Sequence, residues 1–337
     1  MPQNILGFVL EWFDPVSTLV HEIYMKYYLD DDTIELLQNA KNSTFLARIY
    51  YPDVDLKDLY VGNSITIFNR LLVVKGYCNT ATSLFMEKRE VHILCSLDAQ
   101  SIQEVCNVME IAMKYNFKTN RVKKTATNIY EDSIQLNSGD VVIEFVATSP
   151  TDVTSFISEA KSCISQGTIN LDQCTVTIAT KLFEQIICEK SKNTCTLCII
   201  KPHILKSKKE GLVLKDITAA GFCIDSLVSL HMNMNMAEYL FEVYRGVFPR
   251  YTSIMEQMVS GPILAIQLSY PDDPSRVVPL FRDLCGPLEP ALGQKILPNT
   301  LRAKYGTDIV TNTVHCTDLP EDGATEVTYI FETLSNI

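Results

Sequence analysis

No uncharged apolar run in this 337-residue chain approaches the roughly 20 residues that a membrane-spanning helix needs, so the sequence predicts no membrane partner. A secretory leader is also missing from the pattern: Met1 to Pro15 hold an apolar patch, but they carry Glu11 and Asp14 and no basic n-region. Basic charge is scarce, with 29 Lys and Arg against 40 Asp and Glu. The negative excess is spread almost evenly over the thirds of the chain, and no segment has the basic footprint of a nucleic-acid binder. Without a leader, the eleven cysteines read as reduced thiols of a cytoplasmic protein. Cys195 and Cys198 are separated by an odd offset that sends their side chains to opposite faces of a strand, and no second Cys/His pair follows at zinc-finger spacing. Met232, Met234 and Met236 read as core and helix cap rather than a copper site. There is one tryptophan, Trp12, and only five histidines.

What is present suffices for two or three folded domains, since 47% of the residues are hydrophobic and 20% charged. The most informative stretch is Asn312-Thr313-Val314-His315. A neutral imidazole is a competent nucleophile toward a phosphoryl group when a carboxylate fixes its tautomer and cations neutralise the moving charge. Such partners stand in order along the last third: Lys201 closes the apolar run ending Ile199-Ile200, and Tyr244, Ser260-Gly261-Pro262, Arg282, Arg302 and, past the histidine, Glu326 follow. Arg offers a fork of donors to phosphate oxygens, and Lys a mobile point charge.

This ordered set resembles a nucleoside diphosphate kinase domain, from about Asn193 to Ile337. The resemblance implies a ping-pong site in which His315 is the phosphohistidine nucleophile and Glu326 its orienting carboxylate. It implies Lys201, Arg282 and Arg302 as phosphate ligands, Asn312 on the ribose, Tyr244 supporting Lys201, magnesium with the nucleotide, and ATP or GTP as ligands. This sequence departs from the pattern at His203, where the family has Asp after Lys-Pro, and at Leu288, where it has a phosphate-side threonine. The lid between Tyr244 and Ser260 is two residues shorter, leaving Arg250 and Tyr251 as the nearest equivalents of its nucleotide clamp. These departures predict nucleotide binding with weak or absent turnover.

The fold expected is α+β. In the last third, strands are predicted at Thr194–Ile200, Phe222–Leu230, Ile263–Ser269 and Thr325–Phe331, with helices at Gly211–Ala220, Met236–Arg245, Ser253–Val259 and Ser275–Asp283 and an irregular loop from Cys285 to Asn299. That is a ferredoxin-like βαββαβ unit with helices on one face, ending without the carboxyl-terminal tail of many family members. The middle third repeats the design in degenerate form. Val91–Asp98 and Val141–Ala147 read as strands and Ile102–Tyr115 as a helix, with Ser96 in the lysine's place and Ser165–Cys174 too short for a phosphate loop. In the first third, Phe8–Phe13, Ile23–Tyr28, Ile34–Asn39, Phe45–Tyr50 and Ile65–Val74 are short strands of a small antiparallel β domain.

Glu11-Trp12-Phe13-Asp14, Asp58-Leu59-Tyr60-Val61-Gly62 and Ile67-Phe68-Asn69-Arg70 resemble the DM-ten, or doublet-microtubule, domain. The expected domains are therefore 1–88 DM-ten, 89–192 degenerate kinase-like and 193–337 kinase-like. This layout resembles the nucleoside diphosphate kinase homologue seven family. The resemblance implies a location in cytoplasm and cytoskeleton, in the axoneme of cilia and flagella, inside doublet microtubules. Its implied partners are tubulin, other axonemal inner proteins and the γ-tubulin ring complex.

Overall fold

The structure, a computed structural model, describes residues 4–14, 17, 19–38, 43–98, 100–131, 134–147, 152–165, 167–186 and 194–334. It divides into two compact units, the first made of Met1–Val91 with the short segments Ala147–Pro150 and Val259–Gly261, and the second of the remainder.

The first unit is an antiparallel sheet followed by a helix. Its strands are β1 Ile5–Asp14, β2 Leu19–Tyr28, β3 Thr33–Leu37, β4 Thr44–Tyr50, β5 Ser64–Ile67 and β6 Arg70–Tyr77, and α1 is Thr80–Glu87. The strand order is β4-β3-β2-β1-β6-β5. Alternation sets the inner face: Ile23, Met25 and Tyr27 of β2 point into a core that includes Phe8, Leu10, Ile34 and Leu72. The run Ile65–Val74, expected as one strand, is a hairpin. Phe68 and Asn69 take φ of 44° and 61°, the left-handed pair of a type I′ turn, and asparagine tolerates that region better than most residues. Helix α1 is capped by the Asn79 side chain, and Thr82 Oγ1 ties it to β1 by accepting from the Gly7 amide at 2.9 Å.

The second unit contains two similar halves. The first comprises β7 Val91–Leu97, α2 Val105–Lys114, β8 Lys118–Lys124, the short hairpin β9 Ile129–Glu131 and β10 Ile134–Leu136, β11 Val141–Ala147, α3 Val153–Ser162, β12 Ile169–Cys174 and α4 Val176–Gln185. The second begins with β13 Thr196–Ile200, α5 Pro202–Lys206, α6 Glu210–Ala219, β14 Cys223–His231, α7 Met234–Leu240, α8 Tyr251–Met258 and β15 Pro262–Ser269. It continues with α9 Val277–Cys285, α10 Pro290–Ile296, α11 Leu301–Tyr305, β16 Val314–Cys316 and α12 Gly323–Thr328, which runs into a π-helical end at Tyr329–Leu334.

One eight-stranded sheet joins the halves in the order β12-β7-β11-β8-β14-β15-β13-β16, so the second half repeats the first in reverse from the central seam. At the seam β8 pairs with β14, Val122 donates its amide to Ser229 Oγ at 2.7 Å, and Lys124 Nζ reaches Asp225 O at 2.6 Å. Gln103 clamps the Ile224 backbone by donating to its carbonyl at 3.3 Å and accepting from its amide at 3.2 Å. Helices α2 and α6 cross above it so closely that a Cβ on Gly211 would lie 2.7 Å from the Glu110 backbone nitrogen. Glycine is required there by approach rather than by dihedral angle.

Three expectations for the last third fail. Thr325–Phe331 is helical: Val327, Ile330 and Phe331 are fully buried, and their i, i+3, i+4 spacing outweighs the β-branched composition. The fourth strand is β16, which carries His315. The Cys285–Asn299 segment contains α10, started by Pro290 at a first-turn position where its missing N–H costs nothing. The sheet is also covered on both faces rather than one, because β11 and β13 are buried at every position. Among the described residues no helix is long and apolar enough to cross a membrane.

Candidate active site

His315 sits at the middle of β16, in register with Ile199 of β13. The turn leading into it is tight. Thr313 takes φ of 77°, and the Val314 amide reaches back to Asn312 O at 2.9 Å, a γ-turn with its central residue in a sparsely populated conformation. The Lys201 amide holds that turn by donating to Thr313 O at 2.9 Å. Lys201 and His315 are thus placed on adjacent strand ends by backbone alone.

Behind the imidazole, Nε2 lies 3.5 Å from Glu326 Oε2. Thr317 Oγ1 donates to the same carboxylate oxygen at 2.8 Å and accepts from the Leu197 amide at 3.0 Å, so Glu326 is held against the sheet. At 3.5 Å from that carboxylate, Nε2 has no hydrogen-bond partner among the described residues, and a contact of this kind tightens when charge develops on the ring. Phe241 abuts the ring edge-on, centroids 4.8 Å apart.

Two buried cations stand beside the histidine. Lys201 is 4% exposed, and its ammonium donates to Val310 O at 3.1 Å. Burial, then the nearby Arg302 charge, lowers its pKa to about 7. Arg302, 6% exposed, donates to Gly286 O at 2.8 Å, to Val314 O at 3.3 and 3.2 Å and to Cys316 Sγ. Among the described residues neither has a carboxylate partner within ion-pair distance. Buried cations solvated only by carbonyls and a thiol make the site a receptor for anionic oxygen. Gly286 shapes this wall: its φ is 78°, and a Cβ there would meet the Thr300 side chain at 2.3 Å. Asn312 donates to Leu288 O at 3.1 Å, and its own Oδ1 is buried with no hydrogen-bond partner among the described residues. Cys316, next to the histidine, takes a hydrogen bond from Cys285; that bond and the Arg302 charge outweigh burial and lower its pKa.

Lys201, Tyr244, Arg302, Asn312 and His315 line one cavity, joined by Tyr251 and Leu288, while Arg250 and Arg282 do not reach it. Two of the expected site residues are engaged by Asp318. The Tyr244 hydroxyl donates to Asp318 Oδ2 at 2.5 Å, and its ring stacks on Phe248. Arg282 is held by Asp318, donating to its carboxylate and, at 2.8 Å, to its carbonyl. Sequence reading gave Asp318 no role, although it follows the histidine by three positions; a carboxylate that close in chain to a phosphate site was the available signal. Thr317 and Cys316 went unassigned for the same reason. The departing residue His203 packs beside Lys201 and is kept neutral, at about 4, by burial and that charge.

The cavity measures about 30 Å³, room for a water molecule or two, whereas small-molecule sites run to roughly 300–1,000 Å³. Among the described residues no cluster of three or more His, Cys, Asp or Glu can hold a metal.

The family model for nucleoside diphosphate kinase matches residues 194–335. Nucleoside diphosphate kinase homolog 7 of Rattus norvegicus is 28% identical, with 98% of this chain and 93% of its own length covered. The nucleoside diphosphate kinase of Aquifex aeolicus is 32% identical over 41% of this chain and 94% of its own, and that of Desulfovibrio desulfuricans 34% identical over 41% and 94%. A histidine braced by a carboxylate between two buried cations, within a stretch that matches whole enzymes of this kind, means that the chain belongs to the nucleoside diphosphate kinase family and is homologous to homologue seven over nearly its full length.

Proposed function

We propose that this chain is a structural inner protein of ciliary and flagellar doublet microtubules, binding tubulin and neighbouring luminal proteins, and that its His315 site takes up nucleotide with weak or absent transfer. The full-length likeness to homologue seven supports the first part. The observation that carries the second is the small size of the cavity at His315, about 30 Å³, with Asp318 engaging Arg282 and Tyr244. In the enzymatic reading, Nδ1 of His315 would take the γ-phosphoryl as nucleoside diphosphate leaves, and a second diphosphate would collect it.

Purified chain is incubated with γ-labelled ATP and magnesium, and acid-labile phosphate is measured beside the His315→Ala variant. The expected result is nucleotide binding with little phosphohistidine, all of it lost in the variant. Turnover comparable to an ordinary family enzyme would overturn the preference for a structural role. Salt-washed axonemal doublets should retain the full chain and lose one truncated by residues 1–88; release of the full chain into the soluble pool would argue against the location.

A further inference from the structure

The first unit has a second cavity, of about 110 Å³, lined by Leu36, Phe45, Leu46, Ile67, Phe68 and Arg70 with Leu72. It opens between strand β4 at one edge of the sheet and the β5–β6 hairpin at the other. The walls are apolar except for one guanidinium. Arg70 lies 5.2 Å from the Trp12 ring centroid and 5.4 Å from that of Phe45, and Trp12 stacks in turn on His21 at 5.2 Å. Phe68, half-exposed, and Tyr51 meet edge-on at the rim.

The cations around it are used differently. Lys26 pairs with Glu35, Arg48 with Asp31, Lys57 with Asp55 and Lys75 with Glu11. Arg70 has no carboxylate partner among the described residues, and two aromatic faces hold it over the cavity. A guanidinium fixed in this way loses little freedom on binding and presents its donor fork to an incoming carboxylate. The volume beneath suits one aliphatic side chain, somewhat less than the roughly 150 Å³ that holds a benzene ring. An apolar socket with a single aromatic-backed arginine at its rim is the form of an interface anchor site.

We propose that this cavity is a peptide-docking site that takes one leucine-sized side chain from an acidic segment of a partner protein, with a neighbouring carboxylate of that segment on Arg70. The site is separate from the His315 centre and does not depend on the role proposed for that centre. Trp12 is the sole tryptophan of the chain and packs against Arg70 and Phe45 of the cavity wall, so its emission senses a change at Arg70.

The test is a titration of the full chain with acetyl-Asp-Glu-Leu-Glu-Asp-amide, read by Trp12 fluorescence and by calorimetry. Controls are the same peptide with serine for leucine and with lysines for the acidic residues. The expected result is a saturable change in emission, at least tenfold weaker in the exposed-site variant Arg70→Gln, in the serine peptide and in the lysine peptide. No saturable change up to about 1 mM would overturn the proposal. So would heat of binding without a Trp12 response, equal affinity in Arg70→Gln, or equal binding of the lysine peptide. The Phe68→Ser variant, altered at the rim rather than in the core, should also weaken binding; unchanged affinity there would remove the socket from the site.

Discussion

The two halves of the eight-stranded sheet treat buried charge in opposite ways. In the first, Glu144 is fully buried yet accepts from Arg121 Nε at 2.6 Å and Asn120 Nδ2 at 2.8 Å and contacts His92 Nδ1 at 3.0 Å. Burial alone would raise its pKa, but His92 and Arg121 outweigh it and hold the group at about 2. In the second, Lys201 and Arg302 are buried on carbonyls and a thiol. Complete pairing makes a structural member, whereas incomplete pairing keeps affinity for something outside the chain. The loops differ accordingly. Between β15 and β16 lie α9, α10 and α11, which bring in Arg302 and Asn312; between β11 and β12, among the described residues, there is only α3. Just past the end of β7 the Asp98 carboxylate is occupied by Ser101 and Thr168.

Breaking the paired cluster should have the largest effect. Glu144→Ala strands His92 and Arg121 and is expected to cost about 3–5 kcal/mol, measured by urea unfolding. A loss under 1 kcal/mol would mean the cluster is not structural. The sign of its pH dependence follows from a folded pKa below the unfolded one. Its stabilisation is present above about 4.5 and lost as pH falls toward about 2.

The seam comes next. Gly211→Val drives a side chain into the α2 backbone and should destabilise the second unit by about 2–3 kcal/mol, with increased hydrogen exchange in both α2 and α6. Loss of protection in α6 alone would show that the halves are not held by this crossing.

Lys201→Met sharpens the contrast, since removing an unpaired buried charge should stabilise the chain by about 2 kcal/mol while abolishing ATP binding. A destabilised variant would mean that Lys201 is part of the scaffold. In the native chain the lysine's folded pKa is about 7 against 10.5 unfolded, so the unfolded state binds more protons between these values. Its contribution therefore makes stability rise with pH across that window, while affinity for ATP falls as the ammonium is lost. An affinity flat from pH 6.5 to 9 by calorimetry would detach Lys201 from the ligand. The smallest effect is expected from Leu288→Thr, which offers a neutral hydroxyl to the cavity and should strengthen nucleotide binding by about 1 kcal/mol.

Much of this molecule was legible in sequence because its strands alternate and its site residues fall in a fixed order. Val141–Ala147 is a strand over the expected span, and Lys201, Arg302, Asn312 and His315 meet at one cavity. What escaped depended on tertiary context. A three-residue strand such as β16 is too short for a periodic signal, and the helical end of the chain was hidden in β-branched residues whose burial, not composition, decides their conformation. The Phe68-Asn69 turn lacks the glycine that usually marks such a reversal. Tyr244 and Arg282 were assigned without Asp318, because chain order cannot tell which of two plausible partners a hydroxyl or guanidinium will choose.

The seam between β8 and β14 has a consequence for dilution. Two separate subunits joined by such an edge would part as their concentration fell, whereas two halves on one chain meet at an effective concentration set by the connecting segment, on the order of millimolar. The support that α2 and β8 give to the second half is therefore the same in a crowded compartment and in a test tube at nanomolar protein. The first half can change its loops freely without releasing its neighbour, provided that backbone edge remains.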